Sequence, residues 1–183
     1  TEKEPRPVEI IVTGPAGHGP VPNQNSAVLG VAAAVGKVGA WKPPLRPNET
    51  TASYFKRLTT MVEPAVAQKY RELLNPDPKV HGPAEDWMLV NEPQHWSMTH
   101  TSLVPTIMAT GFRYNVIPSE AKATFDVRLH PDEDQEKFLD MVRKVINDPK
   151  VEVRWARDRY RPAGGSRLNT EAFTVLEAQI KKH

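Results

Sequence analysis

Strict alternation of apolar and polar side chains marks one segment beyond the middle of the chain. Its apolar positions are Ala123, Phe125, Val127 and Leu129, and the positions between and beside them are Lys122, Thr124, Asp126, Arg128 and His130. A period of two predicts a β-strand with one buried face and one polar face. The polar face is either an ordinary solvated surface or a functional one, and the pattern alone favours the solvated surface.

Three other runs have the composition of strands. They are Val8–Thr13, Leu103–Thr110 and Val151–Trp155. Pro105 lies inside the second of these runs, and because proline lacks a backbone N–H, it predicts an edge position or a bulge. The turn at Gly111–Asn115 then predicts that this run and the alternating segment form a β-hairpin with a longer loop.

Two apolar stripes at helical spacing predict helices that flank these strands. The first helix follows Asn23, Asn25 and Ser26, any of which can cap it, and the second begins in the acidic turn Pro131–Asp134. The order of elements is therefore βα, an insertion, and then ββαβ. This order predicts an α+β, ferredoxin-like sandwich, with a four-stranded antiparallel sheet and both helices on one face.

The insertion covers residues from about 42 to 100 and is rich in proline. Eight prolines break it into short pieces, two of which have helical stripes, around Tyr54–Val62 and around Val66–Leu74. Pro64 occupies a favourable first-turn position of the second piece. We expect His95 and His100 to lie in a proline-flanked loop of this insertion.

The last segment, 162–183, predicts a hinge followed by a helix. Gly164 and Gly165 give the hinge, and Asn169 or Thr170 can cap a helix that carries Phe173, Leu176 and Ile180. Such a helix has no remaining sequence in the chain to pack against. We therefore expect both ends of this chain to be cuts made in a larger protein.

Composition narrows the range of functions. The chain has 24 Lys and Arg against 22 Asp and Glu, so that its net charge of +2 argues against a nucleic-acid or anionic-membrane partner. It contains no cysteine, which excludes disulfides, thiolate metal ligands and a thiol nucleophile. No run approaches the roughly 20 apolar residues of a membrane span. These features do not indicate the cellular compartment of the protein.

Few patterns in the chain point to chemistry of its own. The six histidines include no pair with the helical spacing of a zinc hydrolase, and no nucleophile elbow or phosphate-binding glycine loop is present. The clearest candidates are His18, the one large polar side chain of a loop stiffened by glycine and proline, and Arg128 on the alternating strand. By pattern alone, His18 is an ordinary exposed loop histidine and Asn115 is a turn residue.

Two segments together resemble one known family. Gly17–Val28, GHGPVPNQNSAV, and Asn115–Pro131, NVIPSEAKATFDVRLHP, are similar to signature segments of the lid, or dimerisation, domain of dizinc metallopeptidases. This family includes aminoacylase, carboxypeptidase S, glutamate carboxypeptidase and succinyl-diaminopimelate desuccinylase. The resemblance runs from about Val8 to Phe173, and the long insertion is most similar to that of the carboxypeptidase S branch.

The resemblance implies a division of the chain and roles for three residues. Residues 1–161 correspond to the lid, and 162–183 lead back to a catalytic domain absent from this chain. His18 matches the lid histidine that enters the partner subunit's site and helps to hold the oxyanion, Asn115 matches a substrate-contacting asparagine, and Arg128 matches an arginine that binds the substrate carboxylate in some members.

The resemblance also implies cofactors and partners. The parent protein would bind two zinc ions through ligands outside this chain, so that we expect neither zinc nor activity in the chain alone. The parent would hydrolyse a peptide or an N-acyl amino acid. Lids of this family pair through a sheet edge and a helix, which implies a homodimer with a continuous eight-stranded sheet.

A second hypothesis comes from a different class of function. A free-standing ferredoxin-like module could use the open sheet face to bind a regulatory ligand or RNA. An RNA-binding sheet presents aromatic side chains in a basic setting, however, whereas this face presents Lys122, Thr124, Asp126 and Arg128. The sequence therefore favours the lid hypothesis.

Overall fold

A computed structural model describes residues 2–157, 165 and 167–182. Its strands are β1 (Glu4–Pro5), β2 (Val8–Thr13), β3 (Gly17–His18), β4 (Ser102–Thr110), β5 (Val116–Ile117), β6 (Glu120–Leu129) and β7 (Val151–Trp155). Its helices are α1 (Ala27–Ala40), α2 (Glu49–Leu58), α3 (Pro64–Leu73), α4 (Pro78–Asn91), α5 (Pro93–Thr99), α6 (Gln135–Ile146) and α7 (Glu171–Ile180). The chain divides into two compact units, a sheet unit formed by Lys3–Pro43 and Thr101–Pro162, and a helical unit formed mainly by Pro44–His100 and Ala163–His183.

The sheet unit has the predicted ferredoxin-like fold. Its main strands lie in the order β4, β6, β2, β7, and every neighbouring pair is antiparallel. Glu4 pairs with Leu129 and Val8 with Phe125, so that β1 extends β2 along the same side of β6 in one register. Since β6 lies between β2 and β4, the alternating segment is an interior strand, and β4 and β7 are the two edges.

The core lies between this sheet and the helices α1 and α6. The odd-numbered residues from Ala121 to Leu129 on β6 are buried, together with Val31 and Val38 of α1 and Phe138 and Val142 of α6. Helix α1 approaches β2 closely at Gly30, which has no side chain. A Cβ atom at this position would lie only 2.7 Å from Cγ1 of Val12. The hydrophobic side of the alternating pattern therefore forms the core, as predicted.

Two helix starts differ in detail from the sequence expectation. Ser26 is the N-cap residue of α1, but its side chain makes no capping hydrogen bond. Helix α6 begins after the acidic turn rather than within it, because the carboxylate of Asp134 caps it by accepting a hydrogen bond from the Lys137 N–H at 3.0 Å. Asn147 ends α6 in a left-handed conformation with φ of 48°.

Strand β4 is an edge strand with an irregularity at the predicted proline. Its pairing with β6 shifts register between Pro105 and Ile107, which is a bulge. From Val104 to Thr110 the strand is exposed, and Val104, Ile107 and Met108 are each more than half exposed. Among the described residues no strand pairs with the outer side of β4, so that this edge presents apolar side chains beside free backbone groups.

The helical unit contains more regular structure than the sequence predicted. The two predicted helical pieces are present as α2 and α3, and α4 and α5 are two further helices that the sequence did not predict; Pro64, Pro78 and Pro93 each lie in the first turn of a helix. The predicted loop for His95 and His100 is wrong, since His95 lies in α5 and His100 is the C-cap residue of that helix. Proline fits the first turn, where its missing N–H has no helical partner, so that prolines taken as breakers mark helix starts.

The core of the helical unit contains aromatic residues and a polar cluster. The buried set is Phe55, Tyr70, Leu73, Ala84, Met88 and Trp96. Tyr70 Oη donates to the Glu92 carboxylate at 2.9 Å, and Nδ1 of His95 lies 2.7 Å from the same carboxylate. Burial, followed by the hydrogen bond to Glu92, raises the pKa of Tyr70. These contacts tie α3 to α5.

Helix α7 begins at the predicted cap, because Thr170 Oγ1 accepts a hydrogen bond from the Phe173 N–H at 3.2 Å. None of its residues is buried, and Val175, Leu176 and Ile180 are more than half exposed. The predicted hinge falls largely on 162–164 and 166, which lie outside the described residues. The assignment of 1–161 to a lid with an insertion, and of 162–183 to a return toward a catalytic domain, stays a prediction.

Candidate functional site

His18 lies on a short ladder that projects from the main sheet. In this ladder β3 pairs antiparallel with β5, with Gly17 opposite Ile117 and His18 opposite Val116. The N–H of Gly19 donates to the carbonyl oxygen of Asn115 at 2.9 Å. The structure therefore brings His18 and Asn115 together, although they are separated by almost one hundred residues in the sequence.

Glycine is required at one position for this approach. A Cβ atom on Gly19 would lie 3.0 Å from Cα and 3.1 Å from the carbonyl carbon of Asn115, both of which are backbone atoms. At Gly17 the nearest atom is 3.5 Å away, which is an ordinary contact with the side chain of Ile117. A side chain at residue 19 would therefore crowd the Asn115 backbone, and the two segments would have to separate by a few tenths of an ångström.

The turn that leads to Asn115 has exposed aromatic residues. Gly111, with φ of 62°, ends β4 in a conformation that favours glycine. Phe112 is 79% exposed and Tyr114 is fully exposed, and the guanidinium of Arg113 lies 5.9 Å from the Phe112 ring centroid. His18 is exposed and Asn115 is partly buried. His18 and Asn115 thus lie at a corner of the sheet unit where several neighbouring side chains are exposed to solvent.

Arg128 lies at the opposite end of β6 from this corner. Strand β6 begins at Glu120, and Arg128 lies eight positions further along, which corresponds to roughly 26 Å of extended strand. Nε and Nη2 of Arg128 donate to the two carboxylate oxygens of Asp126 at 2.8 and 3.1 Å, and both side chains are about half exposed. The structure does not bring Arg128 near His18 or Asn115.

An ion-pair network lies between these ends on the same open face. Glu9 accepts hydrogen bonds from Lys122 Nζ at 2.9 Å and from Nε and Nη2 of Arg154 at 3.1 and 3.0 Å. The hydrogen bond from Lys122 is the main reason that the pKa of Glu9 is lowered, and the contact with Arg154 adds to the effect. This network joins β6, β2 and β7 across the sheet.

Sequence reasoning missed one residue of the open face. Nζ of Lys3 donates to Oγ of Ser102 at 3.0 Å, and Ser102 lies directly opposite Arg128 in the ladder of β4 and β6. A lysine that precedes the first strand has no pattern of its own. Only the pairing of β1 with β6 reveals that it lies close to the guanidinium.

The described residues contain no metal centre. Among them, no group of three or more His, Asp or Glu side chains is arranged to hold an ion. The dizinc centre implied by the resemblance therefore does not fit the part of the chain that the structure covers, and that its ligands lie elsewhere in a longer protein stays a prediction. No helix within the described ranges is long and apolar enough to cross a bilayer.

Curated relatives match most of this chain. It is 29% identical over 180 residues to the probable carboxypeptidase S-like 2 of Dictyostelium discoideum, an alignment that covers 98% of this chain and 34% of the relative. It is 27% identical over 154 residues to the N-fatty-acyl-amino acid synthase/hydrolase PM20D1 of Xenopus tropicalis, covering 84% of this chain and 29% of that protein. The chain thus spans about a third of the length of these relatives.

A solved structure agrees with this fold, and a family model shows the family. The crystal structure of an M20 family metallo-carboxypeptidase, Sso-CP2 from Sulfolobus solfataricus, superposes with a TM-score of 0.55 at 14% identity, covering 99% of this chain and 49% of that one. The sequence model described as the peptidase dimerisation domain matches residues 7–154. With the ferredoxin-like sheet described above, this match shows that the chain belongs to the M20 peptidase dimerisation domain family.

Proposed function

We propose that this chain is the dimerisation and lid domain of a zinc-dependent metallopeptidase or amidohydrolase that cleaves a peptide or N-acyl amino acid amide bond. The metal ligands and the general base lie in other parts of the longer protein, and the chain alone is inactive. The observation that carries the proposal is the backbone ladder that places His18 beside Asn115 on an exposed corner, in a chain that belongs to this family.

His18 acts in this proposal as a hydrogen-bond donor to the oxyanion that forms when the amide carbonyl is attacked. This role needs an aimed donor rather than a strong base, and donors held in advance lower the barrier most. The pairing of His18 with Val116, and the hydrogen bond of the next residue to Asn115, fix the backbone on which the imidazole is mounted. Asn115 lies beside it and contacts the substrate through its side-chain amide.

Arg128 binds the substrate carboxylate, but not in the same active site as His18 of its own chain. A peptide or acyl amino acid in contact with His18 cannot also span the roughly 26 Å of strand that separates the two ends of β6. A homodimer resolves this difficulty, because one subunit can then contribute His18 and Asn115 to an active site, and the other subunit can contribute Arg128. Each active site would take residues from both copies.

The exposed edge strand β4 supplies a surface for such a dimer. It is nine residues long, no described strand pairs with its outer side, and it presents Val104, Ile107 and Met108 to solvent. Helix α1, which contacts β4, leaves Leu29 more than half exposed. Two copies joined edge to edge through β4 would form a continuous eight-stranded sheet and bury this apolar surface.

The decisive experiment compares His18→Ala with wild type in the full-length enzyme. Loss of one oxyanion donor lowers kcat by roughly 10²–10³ with little change in KM. Gln24→Ala is the matched control, because Gln24 is exposed on the same loop. Steady-state kinetics that show unchanged turnover for His18→Ala would remove the imidazole from the mechanism.

Two measurements on the isolated chain test the rest of the proposal. Sedimentation equilibrium should show a dimer, and replacing Ile107 with Lys should convert it to a monomer, because two charged side chains would then meet at the paired edge. Metal analysis should find no stoichiometric zinc. One tightly bound zinc per chain, or hydrolysis by the chain alone, would contradict the proposal that the metal ligands and the general base lie outside this chain.

A further inference from the structure

The loop that carries His18 is closed at its base. It runs from Gly14, directly after β2, to Asn25, shortly before α1, and a Cβ atom on Gly14 would lie 2.5 Å from the carbonyl oxygen of Asn25. The N–H of Gly14 also donates to the carbonyl oxygen of Ser119 at 2.9 Å. A loop of this length whose ends meet is an Ω-loop, a form that is frequent at functional sites.

The side chain of Asn23 joins the two arms of this loop. Its Nδ2 donates to the carbonyl oxygen of Pro15 at 3.3 Å, and its Oδ1 accepts a hydrogen bond from the N–H of Asn25 at 2.9 Å. The first bond crosses from one arm, 22–25, to the other, 14–16. An asparagine amide can make both bonds at once, because it carries a donor and an acceptor.

Burial sets Asn23 apart from the rest of the loop. Every other residue from Pro15 to Asn25 is exposed, whereas Asn23 is partly buried. Among the described residues, no backbone hydrogen bond joins one arm directly to the other. The Asn23 side chain is therefore the direct polar link between them.

His18 lies at the tip of the loop, between the arms that Asn23 connects. The carbonyl oxygen of His18 accepts a hydrogen bond from the N–H of Val21 at 3.0 Å, and Gly19 donates to Asn115 at 2.9 Å. These bonds hold the tip against β5, and the Asn23 amide holds the base. The backbone that carries the imidazole is thus fixed from two sides.

We propose that Asn23 is a positioning residue for His18, whose side-chain amide keeps the two arms at the spacing that directs the imidazole toward the oxyanion. This inference rests on the proposed function and deepens it. An oxyanion donor is effective when it is held in advance to within about half an ångström of its working position. Loss of the amide bond across the loop lets the base widen and the donor move.

The test is a double-mutant cycle in the full-length enzyme, with Asn23→Ala, His18→Ala and the double variant. Asn23→Ala should lower kcat roughly tenfold with little change in KM, because a misaligned donor loses part of its interaction with the transition state. In the His18→Ala background the same substitution should have no further effect on kcat, because the group that Asn23 positions is absent. An asparagine with a merely structural role would lower kcat by the same factor in both backgrounds.

A second substitution separates the two hydrogen bonds of the amide. In Asn23→Asp the carboxylate still accepts from the Asn25 N–H but cannot donate to the Pro15 carbonyl oxygen, so that kcat should fall as far as in Asn23→Ala. Both variants should fold, because Asn23 belongs to neither hydrophobic core. Asn91→Ala is the matched control: it removes a bond of the same kind, from Nδ2 to the Trp87 carbonyl oxygen at 2.7 Å in the helical unit, and should keep wild-type kinetics.

The outcomes separate this inference from the proposed function. A wild-type kcat in Asn23→Ala or in Asn23→Asp, or an equal loss in the presence and absence of the imidazole, would overturn the positioning role. A large loss in His18→Ala combined with such a result would leave the proposed function in place and refute only the role of Asn23. The proposed function itself fails through unchanged turnover of His18→Ala or absence of metal-dependent amide hydrolysis, and the inference about Asn23 then fails with it.

Discussion

The candidate residues at the two ends of strand β6 are held in position by different kinds of interaction. At one end, His18 and Asn115 are positioned by backbone hydrogen bonds and by a glycine that permits close approach. At the other end, Arg128 and Lys3 are positioned by charged and polar side-chain contacts with Asp126 and Ser102. One end is defined by the geometry of the main chain, and the other by electrostatics.

This difference predicts how each end should respond to pH, to salt and to substitution. A corner held by the backbone is insensitive to pH and salt but sensitive to any side chain that separates its segments. A cluster of partly exposed charges tolerates changes of shape, but it depends on protonation and ionic strength.

Adding a methyl group at Gly19 tests the backbone end. In the full-length enzyme, Gly19→Ala should lower kcat/KM by about a hundredfold, because the new Cβ would force the segment of Asn115 to move and misplace the imidazole. Gly17→Ala is the control and should stay close to wild type, since its Cβ meets only the Ile117 side chain at 3.5 Å. Equal kinetics for the two variants would show that the close approach at Gly19 has no function.

Removing the guanidinium tests the charged end. Arg128→Gln should raise KM for a carboxylate substrate roughly tenfold with little change in kcat, because a charge-assisted contact present in both ground state and transition state is lost. Thermal unfolding should be almost unchanged, since the pair with Asp126 is exposed. A loss of kcat as large as that expected for His18→Ala would contradict separate roles for the two ends.

The network between the two ends should contribute to stability in a pH-dependent way. Glu9→Gln should cost about 1 kcal/mol of unfolding free energy at pH 7, as expected for a partly buried, charge-assisted carboxylate. Because the folded-state pKa of Glu9 is lowered, this stability is present above the unfolded pKa and is lost as the pH falls through the folded one.

Urea denaturation at pH 7 and below pH 4 measures this loss. The control is Glu152→Gln, whose side chain is 56% exposed and pairs with Arg154 on the same face. This change should alter stability by less than about 0.5 kcal/mol, because the pair is exposed. A cost of Glu9→Gln that does not shrink on acidification would rule out the ion pairs as its origin.

The smallest effect is expected where Asp126 competes with the substrate. Asp126→Asn should lower KM for a carboxylate substrate by about twofold to fivefold, since breaking an exposed ion pair costs little and leaves the guanidinium available. Asp140→Asn removes a similar exposed pair with Arg143 on α6 and should leave KM unchanged. A raised KM in Asp126→Asn would instead mean that the carboxylate orients Arg128 for binding.

Much of the fold follows from local sequence signals. The alternation along β6 and the apolar stripes of α1 and α6 each specify a buried face, and the core consists of those faces. The bulge at Pro105 follows from the missing N–H of proline. The helical unit was predicted less well. A proline in the first turn of a helix and a proline that ends a helix cannot be distinguished by residue type alone, and in α4 and α5 the proline lies in the first turn.

Some residues of the candidate site could likewise be identified from the sequence, and others could not. His18 and Asn115 were identified by resemblance, and the structure adds that a backbone ladder joins them, which no local pattern encodes. Lys3 was missed because its position depends on the register of β1 against β6, a long-range property. The roles of His18, Asn115 and Arg128 stay predictions until the full-length enzyme is tested.

The register shift at Pro105 also bears on how this domain avoids polymerisation. A long, exposed, apolar sheet border is a ready template for cross-β fibrils, which grow by stacking flat, regular strands. Proline removes one amide donor from the border, and the bulge bends it and increases its twist. Open-ended stacking is thereby disfavoured, which lowers the risk that the exposed apolar edge at β4 seeds fibrils.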